Sequence, residues 1–310
     1  MKTCDIMIPT QKKRNHKHAY LAVFDNQKWV PICYGTQKGK VCYFNEIGKD
    51  IAYLPLYYDN QGIHPITDPF ILDSRGRIKY LHADTSKRKK VILSRKYYLA
   101  KHIFDYAKTL TGGHFEASNN PDFSDPDTIH TISHWLLSAD SFEIKPQKTY
   151  RYWRYVSAKN KGCNLAELAF YSDKEEKELT GTIIGTNASV RYDTMPMDKS
   201  KVFDKDILTY YEAPSTVDYP WVGLDFNKPV SINKIIYTPR NDDNNIHAGD
   251  LYELFYWEYN HWMSLGQQRA IESKLTYTNV PDNTLLLLKD LTKGEEERIF
   301  TYENDKQVWW

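Results

Sequence analysis

The sequence predicts an all-β protein on three observations. Aromatic residues, which favour strands over helical bundles, are abundant: 24 Tyr, 12 Phe and 8 Trp in 310 residues. Short apolar runs follow one another, and each is bounded by turn-forming residues. The best helix candidate is a single short stretch, residues 100–110. With 41% hydrophobic residues the chain can bury a core, and its length allows two or three domains.

Residues 1–82 are predicted to form a small β-sandwich module that lacks an opening strand or two. Strand-like runs occur at 19–25, 29–34, 40–44, 51–58 and 69–72, and turn residues separate them at regular spacing. The preceding segment, 11–18, is strongly basic. We expect it to be a solvated surface turn, and an anion-binding arm is the alternative.

Residues 83–174 are predicted to form a first β-sandwich. A basic run at 87–90 leads into the short strand 91–93, and the helix candidate 100–110 ends at Gly112 and Gly113. Residues 150–157 alternate, which places Trp153 and Tyr155 on the same face of a strand. Residues 164–171 are predicted to be the closing strand of this sandwich.

Residues 175–310 are predicted to form a second β-sandwich. Its clearest strands are 221–226, 230–237 and 251–257, and residues 227–229 are expected to break the first pair. The segment 239–250 is long and polar. A loop of that length between strands is uncommon unless it has a function, so we expect ligand-binding residues in it.

The order and spacing of these segments resemble the coagulation factor 5/8 type C (discoidin) family of galactose-binding-like, jelly-roll β-sandwiches. The resemblance covers residues 176–310, and a divergent first copy is identified in 83–174 from the strings YRYWRY and AELAFY. Residues 1–82 resemble transthyretin-like or carboxypeptidase-regulatory-like modules. This combination is similar to regions of secreted multi-domain proteins of gut bacteria. The segments that carry the discoidin resemblance in the second copy are Asp206–Thr209, Trp221–Phe226, Pro239–Arg240, Tyr252–Leu254 and Trp262.

The discoidin resemblance implies a structural calcium ion. Calcium takes six to eight oxygen ligands. The implied ligands are Asp204, Asp206, Thr209 and Glu297, and Glu167 holds the position of Glu297 in the first copy. The family has Gly or Asn where this chain has Lys205. The alternative interpretation is an Asp-rich surface turn without a metal.

The same resemblance implies a sugar site in the loops at one end of the sandwich. Such a site needs a planar aromatic ring for the sugar's C–H face and polar groups for its hydroxyls. Tyr210 and Tyr211 are the candidate stacking residues. The alternative is that the polar residues only cap and solvate a turn. The candidate hydroxyl-binding residues in the 239–250 loop are Arg240, Asn241, Asn245 and His247.

Several classes of protein are disfavoured. A net charge of +1 argues against a nucleic-acid-binding role driven by charge. No run of 18 apolar residues exists, so no membrane-spanning helix is predicted. The four cysteines have no zinc-ligand spacing, and no known nucleophile, metalloprotease or phosphate-loop motif occurs. We therefore predict that the protein is not an enzyme.

The predicted function is binding of a glycan or glycoprotein by an accessory region of a secreted or cell-surface bacterial protein. No signal peptide is visible at the start of the chain, and further domains of a longer chain are expected partners. The main alternative is a structural or protein-binding scaffold for adhesion or spacing. A hydrolase is the third hypothesis, which a deep pocket with paired carboxylates would favour.

Overall fold

The structure, a computed structural model, describes residues 3–7, 19–35, 40–44, 50–73, 75–145, 148–172, 175–188, 197–214, 216–294 and 298–310. Its sheets are antiparallel and its helical content is small, which confirms the all-β fold class. The chain divides into two compact units: unit 1 comprises Met1–Tyr98 and Asn245–Trp310, and unit 2 comprises Leu99–Asn244. Within the described ranges no helix is long and apolar enough to cross a bilayer. The predicted basic segment 11–18 lies outside the described residues.

Within the described residues, unit 1 begins with nine strands. One pair, β1–β4, stands apart from a six-stranded sheet of order β3-β2-β5-β7-β8, in which β6 also pairs with β5. β2 and β4 coincide with the predicted runs 19–25 and 40–44. The strands are β1 (Thr3–Met7), β2 (Ala19–Asp25), β3 (Lys28–Gly35), β4 (Lys40–Phe44), β5 (Tyr53–Asp59), β6 (Gly62–Pro65), β7 (Phe70–Leu72), β8 (Ile78–Tyr80) and β9 (Asp84–Leu93).

Unit 2 opens with the predicted helix. Helix α1 spans Lys101–Ala107 and continues as a 3₁₀ turn, Lys108–Leu110; a second 3₁₀ helix covers Lys199–Phe203. Ten strands follow α1. They are β10 (His114–Ser118), β11 (Asp127–Thr131), β12 (Asp140–Glu143), β13 (Tyr150–Val156), β14 (Cys163–Ser172), β15 (Glu175–Glu178), β16 (Thr182–Gly185), β17 (Tyr211–Glu212), β18 (Trp221–Val230) and β19 (Lys234–Pro239).

These strands form a two-sheet sandwich. One sheet has the order β11-β10-β13-β18-β16, and the other has β12-β19-β14-β15 with β17 paired to β14. The core between them receives alternate residues of each strand, such as Trp153 and Tyr155 of β13 and Leu168 and Phe170 of β14. The predicted alternation of residues 150–157 is thus confirmed.

One predicted break in unit 2 is wrong. Residues 227–229 were expected to separate two strands, but β18 continues through them to Val230. Asn227 has a φ of 61°, a left-handed conformation that Asn tolerates better than most residues. The chain therefore turns only at 231–233, before β19.

Unit 1 is completed by six strands from the end of the chain. They form a five-stranded sheet of order β21-β20-β23-β24-β25, while β22 pairs with β9. The strands are β20 (Leu251–Glu258), β21 (His261–Arg269), β22 (Leu275–Asp282), β23 (Leu286–Asp290), β24 (Ile299–Glu303) and β25 (Lys306–Trp309).

The five-stranded sheet of unit 1 is buried on both faces. Leu286 and Leu288 pack with Val91 of the β9–β22 pair on one face. Leu285 and Leu287 pack on the other face with apolar residues of the six-stranded sheet. Unit 1 is therefore a three-layer β structure, and its central sheet carries an unbroken apolar run, as sheets covered on both faces do.

The strand pairings divide the chain differently from the three predicted domains. β13 pairs with β18 and β14 pairs with β19, so one sandwich crosses the predicted boundary between residues 174 and 175. β9 pairs with β22, which joins residues on either side of unit 2. Apolar periodicity identifies a strand but not its partner, and these partners are distant in sequence.

Candidate functional site

The polar loop after β19 contains the transition between the two units. Arg240 and Asn241 belong to unit 2, whereas Asn245 and His247 belong to unit 1. The segment 240–250 forms no strand, as predicted, and includes an isolated bridge between Arg95 and Asn245.

Arg240 is held between two tyrosine rings of unit 2. Its guanidinium carbon lies 3.7 Å from the ring centre of Tyr106 on α1 and 3.6 Å from that of Tyr210. Its backbone N–H donates to the carbonyl oxygen of Asn164 on β14, at 2.9 Å. Two cation–π contacts and this backbone bond fix the position of the guanidinium group.

One nitrogen of the Arg240 guanidinium forms hydrogen bonds with described residues. Nη1 donates to Oδ1 of Asn164 at 3.3 Å and to Oε2 of Glu212 at 3.4 Å. No bond from Nε or Nη2 is seen to any described residue, and neither atom is among the buried polar atoms that lack a partner. The side chain remains 15% exposed. One edge of the guanidinium therefore presents unused donors to solvent.

Two other predicted ligand residues of unit 2 have structural roles. The side chain of Asn241 is buried; its Nδ2 donates to the carbonyl of Pro239 at 2.8 Å and its Oδ1 accepts the N–H of Asp243 at 2.8 Å. Tyr211 lies in the core of unit 2, and its hydroxyl donates to the carbonyl of Thr186 at 2.8 Å. Burial raises the pKa of this hydroxyl well above its ordinary value.

The predicted residues in unit 1 are also engaged with the fold. Asn245 is buried, and its Oδ1 accepts a hydrogen bond from Nη1 of Arg95 at 3.0 Å. The backbone N–H of His247 donates to the hydroxyl of Tyr252 at 3.0 Å. These contacts attach the start of the segment 245–250 to β20 and to Arg95, two residues after the end of β9.

The predicted calcium loop follows the second 3₁₀ helix of unit 2. Oγ1 of Thr209 donates to the carboxylate of Asp204 at 3.0 Å, and the backbone N–H of Asp206 donates to the same carboxylate at 3.1 Å. Lys201 also forms an ion pair with Asp204, at 3.1 Å. Lys205 has a φ of 65°, the left-handed conformation that Gly and Asn adopt most readily. Lys205 thus holds a backbone conformation that Gly or Asn would adopt with less strain.

Glu167, on β14, is the carboxylate that faces this loop. Its Oε1 is buried and has no hydrogen-bond partner. Burial, and then the negative charges of Asp204 and Glu178, raise its pKa to about 7. The predicted ligand Glu297 lies outside the described residues.

Trp135 was missed by the motif-based interpretation. It lies after β11 in a segment without strand pattern, and it is 46% exposed. Phe104 of α1 contacts it edge to face, with ring centroids 5.0 Å apart. A Trp in a segment without strand pattern is the sequence signal that could have identified it as a candidate stacking residue.

Within the described part of the chain, no group of three or more His, Cys, Asp or Glu side chains is arranged to hold a metal ion. No family model matches the chain, and no curated protein or solved structure is significantly similar to it.

Proposed function

We propose that this chain is a non-catalytic carbohydrate-binding region of a secreted or cell-surface bacterial protein, and that Arg240 contacts the sugar. The observation that carries the proposal is the fixed guanidinium with unused donors on its Nε and Nη2 atoms. Two parallel N–H groups match two oxygens on adjacent carbons of a sugar ring. Because Tyr106 and Tyr210 already hold the side chain, binding loses little side-chain entropy.

The charge balance around Arg240 favours neutral hydroxyls as its ligands. Glu212 already forms an ion pair with Nη1, and both side chains are largely buried. A ligand carboxylate would have to share this positive charge with Glu212 and would be repelled by it. Hydroxyl oxygens accept hydrogen bonds from Arg240 without that repulsion. We therefore expect a neutral glycan with vicinal hydroxyls.

The binding test is a glycan-array screen of the full chain, followed by titration of each hit. Arg240→Lys keeps the charge but loses the planar pair of donors, so we expect at least tenfold weaker binding. Arg77→Lys is the matched control, since Arg77 is exposed and pairs with Asp73 in unit 1. Unchanged binding by a folded Arg240→Lys protein would exclude this site. An empty array would instead favour the scaffold function.

We also propose that unit 2 binds a structural calcium ion through Glu167, Asp204 and Asp206, whose side chains must move together on binding because they are not already arranged as a metal site. The support is the buried, unpartnered Oε1 of Glu167 and the nearby negative charges that raise its pKa. A divalent cation would give Oε1 of Glu167 a partner and would offset the neighbouring negative charges. The ligands of calcium are carboxylate and backbone oxygens, such as this loop offers. Three carboxylates cannot fill the coordination sphere of calcium, so backbone carbonyls must complete it.

Thermal melting in calcium and in chelator tests this site. Binding to the folded state alone stabilises it by about 2.7 kcal/mol at a hundredfold excess over Kd, so the melting temperature should rise with added calcium. Glu167→Gln should abolish the rise. Glu143→Gln, at an exposed position on β12, should preserve it. Equal melting of the wild-type protein in both buffers would refute the calcium site.

A further inference from the structure

A hollow of about 450 Å³ opens on the surface of unit 2. It lies where β15 and β16, each at an edge of its sheet, are joined by residues 179–181. None of its lining residues belongs to the Arg240 site. Its size falls within the range of small-molecule pockets, roughly 300–1,000 Å³.

The floor of the hollow is apolar. Leu224 of β18 is buried, while Leu179, Ile183 and Phe203 are partly buried and pack against the core of unit 2. Apolar surface left facing water is unfavourable by about 25 cal/mol per Å². The floor therefore offers an apolar ligand a surface already in place, which binding would cover.

Among the described residues, Lys177 is the positive charge at the rim of the hollow that has no described partner. Lys205 forms an ion pair with Glu178 at 3.0 Å. Lys177, at the end of β15, is exposed and forms no ion pair or hydrogen bond with any described residue. Since Lys205 and Glu178 pair with each other, Lys177 supplies the remaining positive charge among the described lining residues, beside an apolar floor.

We propose that this hollow binds a small aromatic carboxylate. The ring would lie on Leu224 and Phe203, where an aromatic neighbour adds ring–ring contact to the apolar burial. The carboxylate would face the ammonium group of Lys177 at the rim. This site is separate from the glycan proposal and stands or falls independently of it.

The test compares two probes that differ in charge. 2-Naphthoate and the neutral 2-naphthylmethanol are titrated into the ¹⁵N-labelled full chain, and amide shifts are followed by NMR. We expect shifts in 177–183 and 203–205, with naphthoate binding about three- to fivefold tighter than the alcohol, as an exposed ion pair provides. Higher salt should remove that difference.

Variants separate the contribution of the ion pair with Lys177 from that of the apolar floor. Lys177→Gln should weaken 2-naphthoate binding about three- to fivefold and leave the alcohol unchanged, because only the charge is lost. Lys159→Gln removes an exposed lysine paired with Asp218 elsewhere in unit 2, and it should affect neither probe. Absence of binding at millimolar concentration, shifts confined to other residues, or equal effects of the two variants would each overturn the proposal.

Discussion

Glu167 illustrates how one residue couples charge to stability. Its pKa in the folded protein is about 7, against an ordinary value of 4.5, because burial and then Asp204 and Glu178 disfavour the ionised form. The folded state therefore binds more protons than the unfolded state between these values. The stability that the protonated group contributes is fully present below about pH 4.5 and is lost as pH rises through about 7.

In calcium-free buffer, unit 2 should lose stability as pH rises from about 5 to about 8, and Glu167→Gln should remove most of that loss. Added calcium favours the ionised carboxylate, so it should stabilise the wild-type protein more at the higher pH. Urea unfolding at several pH values measures both effects, with Glu143→Gln as the control. A wild-type pH profile that matches Glu167→Gln would contradict the raised pKa.

The positions of single residues could be predicted where strand geometry alone determines them. Arg240 lies just after β19, in the loop that was predicted to follow this strand. Tyr210 and Tyr211 could not both face a ligand, since successive residues of an extended segment point to opposite sides. Tyr211 takes the inward side. The stacking of Arg240 on Tyr106 could not be predicted, because no local pattern indicates which distant residue a helix presents to a loop.

At the scale of elements, the central sheet of unit 1 depends on both of its faces. Adjacent leucines of β23 point to opposite layers, Leu287 to the six-stranded sheet and Leu288 to the β9–β22 pair. The run of leucines at 285–288 is visible in the sequence, and it lies in the segment 175–310 that was predicted to form a two-sheet sandwich. Apolar residues on both faces were the signal for a third layer.

Leu287→Ala and Leu288→Ala should each destabilise unit 1 by about 2–5 kcal/mol, since both side chains are buried in well-packed layers. Leu291→Ala is the matched control, because Leu291 is 42% exposed just beyond β23. The midpoint of urea unfolding measures the difference. A near-neutral effect at either buried leucine would mean that the corresponding face is not covered.

At the scale of the whole molecule, each hydrophobic cluster belongs to one unit. The largest cluster draws all its residues from unit 2, and the other three draw theirs from unit 1. The sequence indicated β13, β14 and β20, but it recognised only the last three residues of β9 and did not identify β21 or β22. It also did not reveal that unit 1 is discontinuous. Its two halves carry ordinary strand patterns, and only their pairing shows that they belong together.

The fragment 99–244 should therefore fold alone and melt in one cooperative transition that responds to calcium as the full chain does. The fragment 1–98 should not fold, since β9 lacks β22 and the six-stranded sheet lacks its covering layer. Circular dichroism melting of both fragments measures this. A cooperative transition in 1–98 would show that the first half of unit 1 is sufficient for a core.

The pairing of β9 with β22 also sets an order of events during synthesis. Once Leu93 has left the ribosome, Leu275 follows only after roughly 180 more residues, which takes about 10–40 s at cellular elongation rates. Unit 2 is complete within that interval, whereas the apolar side of β9 has no partner until the interval ends. A chaperone that shields exposed strands would thus be needed by the first part of unit 1, for a period that the length of unit 2 determines.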